Sequence, residues 1–452
     1  MFLRSLLKDK PFWKTLISLA LPIAFQNLLS SSLAIVDNVM IGQLGDIAVG
    51  AVGEAAQVAF LINIFLFGLT SGGAVFAAQY WGSRNVEGIK RTYGLVLLSC
   101  TLLSTVAAIL VSSFPHVVLG WYTNSQAIIT LGSDYLRIAA FSYIGIAINL
   151  SFCTILRSTE KVTLPVVANL VSVLVNVVLN AALIFGLWGF PKLGVKGAAI
   201  ATVVAAFVNP LVIFAVSFCT RGILRSAFRD MFRFPEGFVK QFFRISLPVF
   251  VNEALWALGV AAVNMVFGRM GESNIAALTI ARTVENLAFV LIVGLCHASS
   301  VLICKHIGQG DFDTAKLYAR RFTLIVPCAC AVIGAIIIAL RAPILSLFAL
   351  SAEATATAMG LLFLYGLEMP LRNLPYLSIV GIFRAGGDTR TGLLYDMPCL
   401  WGIAVPITIV LGLVLKWEFL LVYLLMLLCE DIPKSILCVR LVLSDKWLRV
   451  VT

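Results

Sequence analysis

The sequence has few charged residues, few histidines and no cysteines at CxxC spacing. Charged residues make up 12% of its 452 positions, and its three histidines, His116, His297 and His306, lie at no ligand spacing from each other or from a cysteine. Its ten cysteines include no CxxC pattern. Zinc sites, haem sites and disulfide frameworks depend on such patterns. We therefore expect no resident metal or cofactor, and the cysteines are interpreted as small hydrophobic residues.

A catalytic constellation is also missing from the sequence. There is no histidine cluster and no convincing arrangement of serine, histidine and aspartate that would supply a nucleophile with its base. A membrane-embedded enzyme is therefore the least favoured of the functions considered, and we expect a protein that is not an enzyme.

Long hydrophobic segments are abundant. Hydrophobic residues make up 60% of the chain, and its mean hydropathy is +1.01. A helix crosses the hydrocarbon core of a bilayer with about 20 apolar residues. Twelve segments meet this length, at 14–40, 51–80, 93–115, 127–156, 162–186, 194–217, 240–268, 275–303, 318–345, 356–383, 391–415 and 418–442. These segments predict an all-α polytopic protein with twelve transmembrane helices, the first of which is too long for a cleavable signal peptide.

The positive charges lie mostly on one side of this predicted topology. With the amino terminus inside, the inner segments hold 25 of the 33 lysines and arginines, counting the carboxy-terminal tail from Lys434, and the outer loops hold five. Cytoplasmic loops carry the positive excess, so we expect both termini to face the cytoplasm of a cell membrane. Because the cations are spread over these loops, the net charge of +11 indicates topology and not nucleic-acid binding.

The second half of the sequence repeats the first at an offset of 226 residues. Pro22 and Pro248 correspond, and so do Gly68 and Gly294. Further corresponding pairs are Asn38 and Asn264, Gly42 and Gly268, Gly45 and Gly271, Gly82 and Gly308, and Lys90 and Lys316. Prolines and glycines set backbone geometry, so we infer a duplication that produces two pseudo-symmetric six-helix lobes. The predicted lobes are residues 1–218 and 238–452, joined by a basic cytoplasmic linker at 219–237.

Polar residues in the predicted membrane helices of the first lobe form a stripe. Asp37 lies in the first span, Asn169, Asn176 and Asn180 recur on one face of the fifth, and Thr202 and Asn209 are one heptad apart on the sixth. Buried asparagines are explained equally well by hydrogen bonds between helices and by a polar cavity that includes Asp37. A charged side chain in the membrane usually faces water, a partner or a transported ion, which favours a functional role for Asp37.

The second lobe carries its own acids, at positions that do not correspond to Asp37. Glu253 shares a face of the seventh span with Trp256, and an acid beside an aromatic ring suits an organic cation. Neither Glu253 nor Asp396 has an obvious lysine or arginine one turn away, so both are candidate substrate ligands. Glu285 follows Arg282 by three residues and Glu368 precedes Arg372 by four, so we expect these pairs to neutralise themselves on their own helices.

Several motifs together resemble the multidrug and toxic compound extrusion (MATE) family of cation-coupled antiporters. They are Pro22 with Asp37 and Gly42-x-x-Gly45, the segment 193–202 with sequence LGVKGAAIAT, Gly308-Gln309-Gly310, and the segment 384–390 with sequence RAGGDTR. The resemblance covers almost the whole chain. The basic signature that major facilitators carry after their second span is not visible in 80–94.

The resemblance implies a V-shaped pair of six-helix bundles that expels organic cations or drugs while H⁺ or Na⁺ enters. It places the cation-coupling residues, or a Na⁺ site, at Asp37, Asn176, Asn180 and Thr202, and a second-lobe acid at Glu253. The family often has aspartate where this chain has Asn180, which leaves one carboxylate. Hard cations bind more tightly as ligand charge rises, so this departure weakens a Na⁺ site and favours H⁺.

One alternative within the same superfamily is a flippase for a lipid-linked saccharide. A basic cavity would favour it, whereas the buried charge of this chain is mostly acidic. The leading interpretation is a monomeric secondary active antiporter whose partners are small organic cations and the lipid bilayer.

Overall fold

The structure is a computed structural model that describes residues 9–220, 231–346, 348 and 351–451. The described residues of the first half of the chain form eight α-helices. They are α1 (Lys10–Gly42), α2 (Asp46–Gly82), α3 (Val86–Ser113), α4 (Pro115–Gly120), α5 (Gln126–Ala139), α6 (Ser142–Ser158), α7 (Thr163–Phe185) and α8 (Val195–Cys219). Much of the predicted linker, including Arg221, Arg225 and Arg229, lies outside the described residues.

The described residues of the second half form seven further α-helices and three π-helical segments. The helices are α9 (Phe238–Gly268), α10 (Glu272–Gly308), α11 (Phe312–Leu345), α12 (Ala352–Tyr376), α13 (Thr389–Cys399), α14 (Val405–Ile409) and α15 (Phe419–Ser444). The π-helical segments are Leu377–Phe383, Leu400–Ala404 and Val410–Val414. They continue α12, α13 and α14, so that helical backbone runs through Ala352–Phe383 and Thr389–Val414.

Each of the twelve predicted spans coincides with one helix or with a continuous set of helices. In the part of the chain that the structure describes, ten helical segments are long and apolar enough to cross a membrane, and α5 with α6 forms an eleventh that bends by 47°. Helix α15 has the required length but carries Glu430, Asp431 and Lys434. Lys434 therefore lies inside a helix, and the prediction that grouped it with the carboxy-terminal tail is wrong.

The duplication is visible in the turns after α2 and α10. Arg84 and Gly310, at the offset of 226, both have positive φ, at 56° and 76°. The next residues, Asn85 and Asp311, accept a hydrogen bond from the backbone N–H of Gly88 and Thr314, respectively. Such side chains satisfy the free N–H groups at a helix start. The repeated sequence therefore ends one helix and begins the next in the same way in both halves.

The described chain divides into two compact units. The first unit is Phe25–Phe250, and the second is Met1–Ala24 with Val251–Thr452. Helices α1 and α9 thus each contribute their first part to one unit and their second part to the other.

The repeated glycines Gly68 and Gly294 explain how the first parts of α9 and α1 are accommodated. In the first unit, a Cβ atom at Gly68 would lie 2.7 Å from the Cα atom of Phe250. In the second unit, a Cβ atom at Gly294 would lie 2.7 Å from the carbonyl oxygen of Ala20. Small residues let helix backbones approach closely in membranes. Any larger residue at either position would push the neighbouring helix away.

Candidate functional site

Asp37 on α1 meets two asparagines of α7 inside the first unit. The side-chain nitrogen Nδ2 of Asn180 donates to Oδ1 of Asp37 at 2.6 Å and to Oδ1 of Asn176 at 2.9 Å. Both asparagines are 1% exposed, and Asp37 is half-buried. Asn176 and Asn180 are four residues apart, so one face of α7 presents both to α1. The structure thus brings three of the four predicted coupling residues together.

One oxygen in this group lacks a partner. Oδ1 of Asn180 is buried and accepts no hydrogen bond from the described part of the chain. A buried polar atom without a partner costs about 1–3 kcal/mol, and such an atom in a native structure calls for an explanation, such as a functional role or a bound ion. Among the described residues, the Asp37 site therefore has an acceptor without a donor beside its carboxylate.

Thr202, the fourth predicted residue, lies on α8 and donates its hydroxyl to the carbonyl oxygen of Ala198 at 2.9 Å. Tyr135 of α5 interacts with Thr202 through its hydroxyl and lies close enough to Asp37 to interact with it electrostatically. Sequence reasoning missed Tyr135, because a single tyrosine in an apolar segment carries no spacing signal. The residues around Asp37 thus come from four helices, α1, α5, α7 and α8.

Asn169 belongs to a different contact from the other two asparagines of its stripe. Its Nδ2 donates to the carbonyl oxygen of Gln26 and to Oγ of Ser30, both at 3.1 Å. Asn209 donates to Oδ1 of Asn169 at 3.5 Å. These bonds join α1, α7 and α8, which is the structural alternative that the asparagine stripe left open. The stripe therefore serves two purposes, helix packing at Asn169 and the Asp37 site at Asn176 and Asn180.

A partly buried arginine of the first unit is paired with an amide. Nη2 of Arg157, at the end of α6, donates to Oε1 of Gln26 at 2.6 Å. Gln26 is 6% exposed and its own Nε2 faces the Cys153 sulfur at 3.8 Å. Gln26 lies eleven residues before Asp37, about 16 Å along the helix axis, so Arg157 is not the counter-charge of Asp37.

Glu253 on α9 is part of an ion pair in the second unit. Nη2 of Arg384 lies 2.5 Å from Oε1 of Glu253, and the two side chains are 3% and 14% exposed. No lysine or arginine lies within one helical turn of Glu253 in the sequence. Its partner, Arg384, lies in the segment after α12. The prediction that Glu253 lacks a nearby cation is wrong, because spacing along one helix cannot reveal a partner from another.

Asp396 on α13 is also paired. Its Oδ1 accepts from Nζ of Lys434 at 2.9 Å, and its Oδ2 accepts from Nδ2 of Asn252 at 3.2 Å. Lys434 also donates to Oε1 of Glu430 at 2.7 Å. Asp396 is thus held by a cation that sequence reasoning missed. The signal for Lys434 was its spacing of four residues from Glu430 within an apolar segment.

Trp256, the third predicted substrate residue, is 39% exposed on α9, one turn beyond Glu253. Asn252, Glu253 and Trp256 follow each other within one turn and a half of the helix. The same part of α9 therefore presents an amide to Asp396, a carboxylate to Arg384 and an exposed aromatic ring.

The acids of the predicted pairs within single helices, Glu285 and Glu368, differ from the prediction in their contacts. Glu285 of α10 accepts from the hydroxyl of Tyr423 at 3.0 Å. Neither carboxylate oxygen of Glu368 accepts a hydrogen bond from Arg372 or from any other described residue. The guanidinium of Arg372 is attracted to Glu285 more than to Glu368. The prediction of a closed Glu368–Arg372 pair is therefore wrong, since Arg372 is shared between helices.

Metal ligands do not gather elsewhere in the described part of the chain. No group of three or more histidine, cysteine, aspartate or glutamate side chains there is arranged to hold a metal ion. The oxygens near Asp37 come from one carboxylate, two amides and a hydroxyl.

The sequence matches the family model MatE in two segments, 22–182 and 248–410. The segments begin at Pro22 and Pro248, the corresponding prolines of the duplication. The chain is 27% identical to the probable multidrug resistance protein YoeA of Bacillus subtilis, over 91% of this chain and 90% of the relative. It is 23% identical to the probable multidrug resistance protein NorM of Thermotoga maritima, over 96% and 93%.

The fold agrees with this match. A crystal structure of a MATE protein in a bent conformation superposes with a TM-score of 0.83 at 20% identity, and the superposition covers 98% of this chain and 96% of that one. The α-helical fold, the two matched halves and the long apolar helices all agree with this family. The chain belongs to the MATE family of multi-pass membrane transporters.

Proposed function

We propose that this protein is a secondary active antiporter that exports organic cations or drugs in exchange for H⁺, with Asp37 as the coupling residue. The observation that carries the proposal is the hydrogen bond from Asn180 to Asp37, made by an amide that also donates to Asn176, so that the carboxylate is set among neutral amides. A transported ion shifts a conformational equilibrium only through different affinities for the two states. A group that changes charge at the boundary of two helices can provide that difference.

The free oxygen of Asn180 supports a proton as the coupling ion. An ionised Asp37 accepts hydrogen bonds only, and Asn180 satisfies one of its oxygens. A protonated Asp37 carries an O–H donor, and Oδ1 of Asn180 is a nearby acceptor without a partner. Proton binding would thus satisfy the buried oxygen and change the contact between α1 and α7.

Na⁺ is the alternative coupling ion, but the group around Asp37 offers it one charged ligand. Asp37 is the single carboxylate of the group, and Nδ2 of Asn180, which cannot bind a cation, points at Asp37 and Asn176. Affinity for hard cations rises with the charge of their oxygen ligands. Either ion has enough driving force, since each elementary charge that crosses the membrane contributes about 2.3 kcal/mol per 100 mV.

For the substrate, we propose that Glu253, Trp256 and Asp396 contribute to binding of an organic cation. The exposed ring of Trp256 can take the cation on its face. The carboxylates of Glu253 and Asp396 are held by Arg384 and Lys434, so a bound cation competes with these side chains. Weak binding to each group suits a transporter that must also release its substrate.

Proteoliposomes test the coupling ion directly. Purified protein, reconstituted with a fluorescent organic cation, is exposed to a pH gradient without Na⁺ and, separately, to a Na⁺ gradient at equal pH. We expect transport to follow the pH gradient. Transport that follows the Na⁺ gradient and ignores the pH gradient would contradict proton coupling.

We further infer that both termini and the linker 219–237 face the cytoplasm, that this linker joins the halves 1–218 and 238–452, and that the transporter is a monomer. The distribution of lysine and arginine supports the orientation. An Arg225→Cys variant, made without the exposed Cys219 and Cys328, tests it. An impermeant thiol reagent should not label this cysteine in intact cells, and labelling from outside would overturn the orientation.

A further inference from the structure

The second unit holds an excess of buried acid that the Asp37 site does not use. Among the described residues, one cluster inside it contains the carboxyl groups of five residues, Glu285, Glu368, Asp396, Glu430 and Asp431. The cations of this cluster are three, Arg282, Arg372 and Lys434. Burying a charge without a partner is costly. A bound positive charge would relieve this excess.

Glu368 is the member of this cluster that lacks a donor. Its residue is 6% exposed, and both of its carboxylate oxygens are buried without a hydrogen-bond partner in the described part of the chain. Arg372, one turn further on α12, attracts it only at a distance and lies 5.9 Å from the ring of Tyr365. An ionised Glu368 in this position would accept no hydrogen bond from the described residues.

The carboxyl group of Glu368 interacts with that of a second acid. This acid is Asp431 on α15, which is 4% exposed. The two helices are tied together about one turn further along, where Oγ of Ser435 donates to the carbonyl oxygen of Leu371 at 3.0 Å. The pairing of these acids thus follows from the register of α12 and α15.

Lys434 does not donate a hydrogen bond to this pair of acids. It donates to Asp396 at 2.9 Å and to Glu430 at 2.7 Å, whereas Oδ1 of Asp431 is 4.0 Å from its Nζ. Two adjacent carboxylates cannot both be ionised at low cost, and one proton between them supplies the missing donor. We propose that Glu368 and Asp431 form a proton-binding site that holds one exchangeable proton inside the second unit.

The surroundings favour a proton over a metal ion. The described residues include no group of three histidine, cysteine, aspartate or glutamate side chains that could hold a metal ion, and a proton needs only the two interacting carboxyl groups. The titratable and charged groups that face the pair come from the neighbouring helices α10, α11, α12, α13 and α15. They are Arg282, Glu285, Cys330, Tyr365, Arg372, Asp396, Tyr423, Glu430 and Lys434.

This site is independent of the proposed role of Asp37, and its test needs no transport. Infrared difference spectroscopy of the purified protein detects the C=O stretch of a protonated carboxyl and its shift in D₂O. The background for the test is Asp37→Asn, so that Asp37 cannot contribute. We expect a protonated-carboxyl band at neutral pH that disappears when the protein is titrated to alkaline pH.

Two variants assign the band, and a third is the control. Glu368→Gln and Asp431→Asn each replace one acid of the pair by an amide donor, so each should remove the band, a loss of one bound proton. Glu418→Gln changes an exposed acid next to α15 and should leave it unchanged. A band that survives in both folded pair variants overturns the proposal. So does the absence of any such band at neutral pH in the Asp37→Asn protein, which requires no variant of the pair to fold.

Discussion

The two units contain the same arginine contact with different partners. Arg157 donates to Gln26 and Arg384 donates to Glu253, and in each case the two residues are 131 positions apart. The acceptor is a neutral amide in the first unit and a carboxylate in the second. The next contact differs in the same way, since Asn209 meets Asn169 at 3.5 Å where Lys434 meets Asp396 at 2.9 Å.

This difference lies in the side chains, because the repeated glycines and helix caps preserve the backbone in both units. These two contacts involve amides in the first unit and ion pairs in the second. In the first unit Asp37 therefore stands among uncharged hydrogen-bonding groups, where gaining a proton changes its contacts most. In the second unit the charges are balanced against each other, apart from Glu368 and Asp431.

The largest expected effect comes from removing the central cation of the second unit. Lys434→Met leaves Asp396 and Glu430 without their buried partner, so we expect a loss of about 3–5 kcal/mol of stability. The matched change in the first unit, Asn209→Leu, breaks one weak amide contact and should cost roughly 0.6–2 kcal/mol. Melting temperatures of the purified proteins test the ranking. Equal losses would mean that the charged and neutral networks are equivalent.

Replacing Glu253 with glutamine, the residue type that Gln26 provides in the first unit, distinguishes a role in folding from a role in substrate binding. Glu253→Gln should still fold, because Gln26 shows that an amide oxygen can accept a hydrogen bond from a partly buried arginine. We expect its affinity for an organic cation to fall about tenfold, or about 1.4 kcal/mol, as the carboxylate is lost. Equilibrium binding to the purified variant measures this, with the exposed Glu236→Gln as control. Unchanged affinity in the folded variant would assign Glu253 a structural role only.

A third ion pair of the second unit lies near its surface and should have the smallest effect. Oδ2 of Asp9 accepts from Nη1 of Arg321 at 2.6 Å, and its Oδ1 accepts from the N–H of Phe12 at 3.1 Å. The hydrogen bond from Arg321, assisted by that N–H, lowers the pKa of Asp9 below its ordinary value. A lowered pKa stabilises the fold above the ordinary value of about 3.9, and this contribution disappears as the pH falls through the lowered pKa.

Asp9→Asn keeps an oxygen that can cap α1 but removes the charge. We expect a cost of about 1 kcal/mol at neutral pH, because the pair is partly exposed. The difference from the wild type should shrink below about pH 4, as melting curves over this range would show. A difference that does not depend on pH would rule out the ion pair as its cause.

Much of the fold is predictable from the sequence because membrane helices are long and apolar. Each predicted span is helical, and repeated residues such as Gly68 and Gly294 marked the duplication before their contacts were known. The meeting of Asp37 with Asn180 was also predictable, from one acid and a stripe of amides combined with the family resemblance. These features depend on local spacing or on a repeat.

The partners of Glu253 and Asp396 were not predictable in the same way. Arg384 is 131 residues from Glu253, and Lys434 is 38 residues from Asp396, so no spacing on one helix connects them. Lys434 was misplaced because its position near the carboxy terminus resembled a charged tail. In a membrane protein the pairing of buried charges depends on which helices touch, and a single sequence does not contain that information directly.

The central claim is that Asp37 couples a proton to transport, and its most direct test compares Asp37→Asn with the exposed control Asp46→Asn in proteoliposomes. We predict that Asp37→Asn binds the organic cation at equilibrium nearly as well as the wild type but shows no efflux driven by a pH gradient. Asp46→Asn should transport normally. Efflux by Asp37→Asn at the wild-type rate under the same pH gradient would contradict the account.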